Sequence, residues 1–438
     1  MMNGMIRKFA RQEDGAMTVG GLFFLMAMVA MGGLAVDLSH AIKVKTQMQA
    51  AADAAAHTAL FQRARKDVSS SVAKQRALEI VETMMPERLN GTLLTASDIQ
   101  FGYWNRATGT FTADSNSDDA VMVDISRLQS KNNAVTTFLL KFAGFSNFDI
   151  RNRAVYETYI PTCMREGLVA NGVINIASNN AFTTGFCLHS NTHVDLQQGN
   201  VFQPGTVVSM PDEENIVVPG GDITTNAGLE PALRDGAYEI EILNLVPVIL
   251  DDLASGGQDW SPSYITPNNV INIGFGGIDP SDFTPGRIHY AQCTTSNQAV
   301  RFRANQTYSN FVLITNCKMV FPAVTNFYDV FLGSYDRSAD SVSTAAQLTI
   351  GRDDNCAGGG GTTVMTMGGI QIAASMTING SRLVALGDIS FQSGVFGING
   401  ASIVAGGDIN GTTGMIFGFC GGAGMDNTFE REFFRLAL

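Results

Sequence analysis

The sequence predicts a mainly β protein that begins with one transmembrane α-helix, and three observations carry that expectation. Between Ala16 and Val36 no residue is charged, and 21 residues at about 1.5 Å each cover the roughly 30 Å of a bilayer's hydrocarbon. The 46 glycines, with only 16% charged residues, suit tight turns between short strands better than a charged helical bundle. Two late phrases, LVALGDISF and IVAGGDING, lie 20 residues apart, close to one coil of a parallel β-solenoid. The 438 residues thus divide into a cytoplasmic tail (1–15), a transmembrane helix (16–36), a long periplasmic helix (37–86), a small α+β membrane-proximal domain (87–161) and a β-rich, disulfide-containing domain (162–438).

Arg7, Lys8 and Arg11 closely precede the apolar run, whereas Lys43 and Lys45 lie farther out beyond Asp37, which favours a cytoplasmic N-terminus. A cleavable secretory signal is the competing reading, but the run is longer than a usual signal core and helical composition continues directly past it. From Asp37 to Met85 the chain is rich in Ala, Gln, Lys and Arg and free of Gly and Pro, so one long helix is predicted. Ala41, Val44, Met48, Ala51 and Ala55 recur at steps of three and four, a stripe of mostly small side chains that lets another backbone approach. That backbone belongs either to another helix or to this chain's own next domain. Asp37 at the bilayer exit and Asp53 inside the Ala run each have two readings, a solvated carboxylate or a specific packing role.

Gly15, the apolar run, Gly33-Leu34-Ala35-Val36-Asp37 and then Met48-Gln49-Ala50-Ala51-Ala52-Asp53-Ala54-Ala55-Ala56 resemble the N-terminal module of TadE/TadG-like proteins of Flp pilus assembly. The resemblance covers the first 60 or so residues, with Met48 in place of the usual Leu. It implies a pilin-like long helix in the bacterial inner membrane and makes Gly15, Asp37, Gln49 and Asp53 family-motif positions. In relatives cut by a prepilin peptidase a Glu lies five residues after the processing Gly; here that place is Gly20, so the chain looks more like the uncut TadG type. Between Pro86 and Pro161, FGYWNRATGTF reads as two strands around Ala107-Thr108-Gly109, AVMVDIS as a third, NNAVTTFLLKFAGF as a short helix stopped by Gly144, and FDIRNRAVYETY as a final strand. This order is similar to the membrane-proximal domain of TadG-like proteins.

All six cysteines lie beyond residue 160 and none forms a CxxC pair, which suits disulfides in an oxidising compartment; six buried free thiols are the alternative. The equal 24-residue intervals suggest Cys163 with Cys187 and Cys293 with Cys317, leaving Cys356 with Cys420. Val173-Ile174-Asn175-Ile176 recurs as Val270-Ile271-Asn272-Ile273, and Gly-Asp-Ile occurs at Gly221, Gly387 and Gly407. These phrases favour at least a partial right-handed β-helix, against an antiparallel sandwich whose hairpin turns carry Gly-Asp. The stretch from Glu213 to Tyr264 interrupts them with one or two helices, and the terminal EREFFRLAL reads as a short capping helix.

The net charge is −12, and the chain beyond residue 88 carries −15, so nucleic acid is not an expected partner. His40 and His57 fall on the long helix. His189 and His193 could form a metal pair but lack a third ligand nearby. Asp124-Ile125-Ser126-Arg127-Leu128 places Leu128 where a von Willebrand factor A-type metal site needs a second Ser, and Asp353-Asp354, beside four glycines, reads as a solvated turn before a Ca²⁺ site. No GxSxG, HExxH or phosphate-binding loop occurs, so no catalytic, cofactor or metal residue is expected and the chain reads as no enzyme. The expected function is a membrane-anchored structural component of a Tad/Flp-type pilus or related secretion system, meeting pilus or secretion-machinery proteins through the Ala-rich helix. A cell-surface adhesin or polysaccharide-binding β-helix protein is the alternative, and a polysaccharide-acting enzyme the third. Only two tryptophans, Trp104 and Trp260, weigh against sugar stacking.

Overall fold

The structure is a computed structural model that describes residues 14–64, 68–295, 298–322, 324–344, 347–373, 375–391, 397–430 and 432–438. Arg7, Lys8 and Arg11 lie outside the described residues. The chain forms two compact units, Met1–Tyr159 with Glu432–Leu438, and Ile160–Arg431.

In the first unit a continuous helix α1 runs from Asp14 to Arg63, and a second, α2, from Ser70 to Met84. The single helix expected over 37–86 is thus two. Ser69 has extended backbone, and its hydroxyl accepts from the Val72 N–H, so a residue that competes with the helix interior starts a new helix instead. Strands β1 (Ile99–Asn105), β2 (Thr110–Ala113), β3 (Ala120–Arg127), β4 (Val135–Thr136), β5 (Asn147–Phe148) and β6 (Ile150–Tyr159) follow. The antiparallel sheet has the order β2-β1-β3-β6, and the C-terminal strand Phe433–Leu436 pairs on the outer edge of β6. The capping helix expected at the C-terminus is therefore a strand, and its residues leave the β-rich domain predicted for 162–438. The reason is an open sheet edge: Phe433 and Leu436 align with Tyr159 and Tyr156, satisfying exposed backbone groups, and Arg435 Nε lies 2.7 Å from Glu157. The helix expected before Gly144 is a single 3₁₀ turn, Leu140–Ala143, between β4 and β5, and Gly144 ends it at φ +90°.

Ala41, Val44, Met48, Ala51 and Ala55 are all buried, with Ala52, Ala56, Ala59 and Leu60 widening the stripe. They share one core with Ala73, Ala77 and Val81 of α2 and with Ile99, Phe101, Val121, Val123, Ile125 and Ala154 of the sheet. Small side chains bring the helix axis close to the strands, so the seam packs on this chain's own domain. The buried stripe itself is thus taken by the chain's own sheet, while Lys45, Gln47, Ala50, His57 and Phe61 on the other side of the same helix stay exposed.

In the second unit every strand pairing among the described residues is parallel, which overturns the antiparallel alternative. The chain visits three ladders in turn. Gly167–Ala170, Ile174–Ile176 and Ala181–Phe182 are followed 20 residues later by Cys187–Ser190, Val194–Leu196 and Val201–Phe202, so Leu168 aligns with Leu188, Ile174 with Val194 and Phe182 with Phe202. Like side chains stack in the core. Phe182 lies 4.7 Å from both Phe202 and Phe417, ring on ring, and the Asn180 and Asn200 side-chain oxygens accept from Met415 N and Asn180 N at 2.7 and 2.9 Å.

Order along the first ladder departs from sequence order. Gly167–Ala170 sits between Cys187–Ser190 and Ser402–Ala405, so the unit begins mid-ladder, runs out to Leu233–Asp235, reappears at the opposite end as Ile271–Ile273, and returns strand by strand. The crossing carries α3 (Glu241–Ser255), whose Leu243, Val246, Ile249, Leu250 and Leu253 are buried against Ile288, Val312, Phe331, Met365 and Val384 of that ladder. The Gly387 and Gly407 copies of Gly-Asp-Ile occupy consecutive turns, where Asp408 N donates to Asp388 Oδ1 at 2.8 Å; the Gly221 copy lies in a 3₁₀ turn. The two Val-Ile-Asn-Ile phrases fall on different ladders and are not structural repeats.

Candidate functional site

The family-motif residues converge on one feature, a clasp at the end of the apolar half of α1. Gly33 and Asp37 are one turn apart on the same helix face, and both are buried. A Cβ on Gly33 would sit 2.9 Å from Leu139 Cβ, so only glycine admits loop 137–146 this close. Asp37 Oδ1 accepts from Phe138 N at 2.7 Å, and Oδ2 accepts from Leu139 N and Leu140 N at 2.9 and 2.7 Å. The carboxylate supplies the acceptors that the turn at Leu140–Ala143 leaves open at its start. Burial pushes its pKa up, but the three N–H donors and nearby His40 outweigh this and hold it below the ordinary carboxylate range.

Three turns on, Gln49 Nε2 donates to Asp53 Oδ1 at 2.8 Å and to Arg153 O at 3.3 Å, while Gln49 Oε1 accepts from Asn152 Nδ2 at 2.7 Å. Asn152 also donates to Lys45 O at 3.2 Å. Asp37 and Gln49 therefore fix α1 to its own loop and to β6, and the packing reading holds for Asp37; half-buried Asp53 reaches β6 only through Gln49 of its own helix. Gly15 lies in the first turn of α1, well before the clasp. The helix Thr18–Arg63 is long and apolar enough to cross a membrane, and Phe23 and Phe24 in it are each about two-thirds exposed.

The other singled-out residues are not brought together. His189 is buried with Nδ1 2.8 Å from Ser209 Oγ and Nε2 2.9 Å from Asn191 Oδ1, so both ring nitrogens are engaged away from His193. Burial depresses its pKa against the opposing bond to the Asn191 amide oxygen, which accepts. Asp124 is held by Arg153 through two bonds of 2.7 and 3.0 Å. Asp353 and Asp354 line a cavity of about 290 Å³ beside Cys356 and Cys420, and Asp354 Oδ1 accepts from Ala357 N at 2.9 Å. Among the described residues no three His, Cys, Asp or Glu side chains gather where they could hold a metal ion.

The cysteines lie in three pairs, Cys163–Cys187, Cys293–Cys317 and Cys356–Cys420, with Cα separations of 4.8, 5.5 and 5.6 Å. One group escaped the sequence reading. Glu166 is fully buried and accepts from Cys420 N and Gly422 N, tying the start of the second unit to its last turns. Burial raises its pKa against those two bonds. A single Glu after a cysteine-containing turn carries no motif that could have marked it.

A family model described as a domain of unknown function, DUF7867, matches residues 167–421, more than half of the chain and nearly all of the parallel ladders. The chain belongs to the DUF7867 family. At the other end of this DUF7867 protein, residues 15–65 match the Flp pilus-assembly TadE/G-like family, a stretch that runs from Gly15 through the clasp and the Gln49–Asp53 pair to the end of α1. No curated protein and no solved structure matches the chain.

Proposed function

We propose that this DUF7867 protein is a single-pass, membrane-anchored structural component of a Tad/Flp-type pilus or related secretion system. In this reading residues 16–36 span the bacterial inner membrane with the N-terminus cytoplasmic, and the remainder stands in the periplasm. The three ladders form the faces of a β-helix, stapled by disulfides that an oxidising compartment permits. The observation that carries the reading is the TadE/G-like match over residues 15–65, on a helix whose first half is exposed and apolar while its second half is buried in its own domain. Such a helix is an anchor with a platform fixed to it. A non-catalytic role is supported by the use of ionisable groups as fasteners: buried His189 bonds Ser209 of the next turn, and half-buried Asp426 accepts from Ser263 N and Oγ at 2.8 Å.

A deletion strain tests the proposal. Surface Flp pili should be lost, then restored by the full chain and not by a chain lacking residues 16–36. Normal piliation in the deletion strain would sink the reading.

A further inference from the structure

Three phenylalanines of loop 137–146 are exposed, Phe142 and Phe145 most of all, while the Phe138 ring meets the edge of His40 at 5.2 Å. Phe138, Phe142 and Phe145 are 53%, 76% and 66% exposed. In this loop, TFLLKFAGFS, the one charged residue is Lys141, whose Nζ lies 5.7 Å from the Phe142 ring. So dense an apolar patch on a soluble surface marks a contact with something apolar.

Its position identifies the occupant. Leu139 packs where a Gly33 Cβ would be and Asp37 accepts from the N–H groups of Phe138, Leu139 and Leu140, so the loop lies beside the last turn of the apolar segment. Leu34, Val36, Leu38 and Ile42 of α1, each between 46% and 56% exposed, continue the apolar surface past Asp37. The loop's backbone is also prepared for a medium poor in water. Besides the three donors held by Asp37, Thr137 N bonds Ser146 O at 3.0 Å, Thr137 Oγ1 bonds Phe145 O at 2.6 Å, Phe142 N bonds Leu139 O at 3.1 Å, and Phe145 N bonds Leu140 O at 3.0 Å. Lipid would strand none of these groups.

We propose that loop 137–146 is a second membrane contact, an aromatic foot whose Phe138, Phe142 and Phe145 enter the lipid interface beside the exit of α1. This rests on the reading of α1 as a membrane span. Aromatic rings favour the boundary between headgroups and acyl chains, and Lys141 reaches anionic headgroups over the Phe142 ring. With two points of attachment the first unit cannot swivel about α1, so its sheet keeps a constant face toward the bilayer.

The test uses the full chain in vesicles of phosphatidylethanolamine and phosphatidylglycerol, with one added cysteine per variant carrying an environment-sensitive fluorophore. The native cysteines are all paired and stay unlabelled. Labels go at Phe142, Phe145, Phe24 and Phe61, the last an exposed phenylalanine 24 residues beyond Asp37 and about 36 Å farther along the helix. Lipids spin-labelled near the headgroup should quench F142C and F145C at least about threefold more than F61C, while deeper labels quench F24C. Quenching at F24C with F142C and F145C no different from F61C overturns the foot and leaves the span standing. Absence of quenching at all four sites overturns both.

Discussion

The two units achieve order by opposite means. In the first, unlike groups meet once: a glycine admits a leucine, one carboxylate caps one turn, and one glutamine bridges an aspartate and an asparagine. In the second, like groups meet repeatedly, Phe on Phe and Asn on Asn, at a 20-residue period, and two disulfides close intervals of 24 residues. Repetition spreads stability over many equivalent contacts. A motif of single contacts instead concentrates it at a few positions, where the loss is local.

Four variants test that contrast, the first three read by calorimetry of the full chain for separate transitions of the two units. Phe182→Ala, which removes the middle ring of the Phe202–Phe182–Phe417 stack, should destabilise the second unit by about 3–5 kcal/mol and leave the first transition in place. Opening Cys293–Cys317 by a double Ser substitution should cost about 3.5 kcal/mol from the chain entropy of its loop, again in the second transition alone. Ala55→Leu overpacks the seam between α1 and its sheet and should lower the first transition by about 1–3 kcal/mol; an unchanged midpoint would mean the seam is looser than a core.

Asp37→Asn should have the smallest global effect and the sharpest local one. Its carboxyl has a lowered pKa in the folded chain, so its contribution is present above the ordinary aspartate value of about 3.9 and is lost only as pH falls through the lower folded value. Hydrogen exchange at the Phe138, Leu139 and Leu140 amides should therefore stay protected at pH 5 in the native chain and be accelerated in the Asn variant at the same pH. Equal protection in both would show that Gly33 packing alone seats the loop.

Much of this was legible because it is local or periodic. Strand β6 follows alternation, β3 a short apolar run, and β1 and β2 the turn residues between them, and the 20-residue repeat follows from the spacing of Gly387 and Gly407. Where a phrase lacked its spatial neighbours it misled. The second Val-Ile-Asn-Ile is a strand on another ladder, and FFRL, helical by composition, is a strand because β6 presents a free edge. Asp37 and Asp53 could be singled out as motif positions, but their partners lie about a hundred residues away, at Phe138–Leu140 and, through Gln49, at Asn152.

By itself the sequence determined the apolar helix, the kinship of its first 60 or so residues and the β-rich character of the rest, since hydropathy, motif spacing and glycine content are properties of the chain alone. Tertiary structure decided which surface stays free. The small-residue seam is covered by the chain's own sheet, the unit of parallel ladders begins at an interior strand, and three phenylalanines are left exposed beside Asp37. Burial is set by the segments that fold back from far along the chain, and no local pattern specifies which of two apolar stripes they will cover.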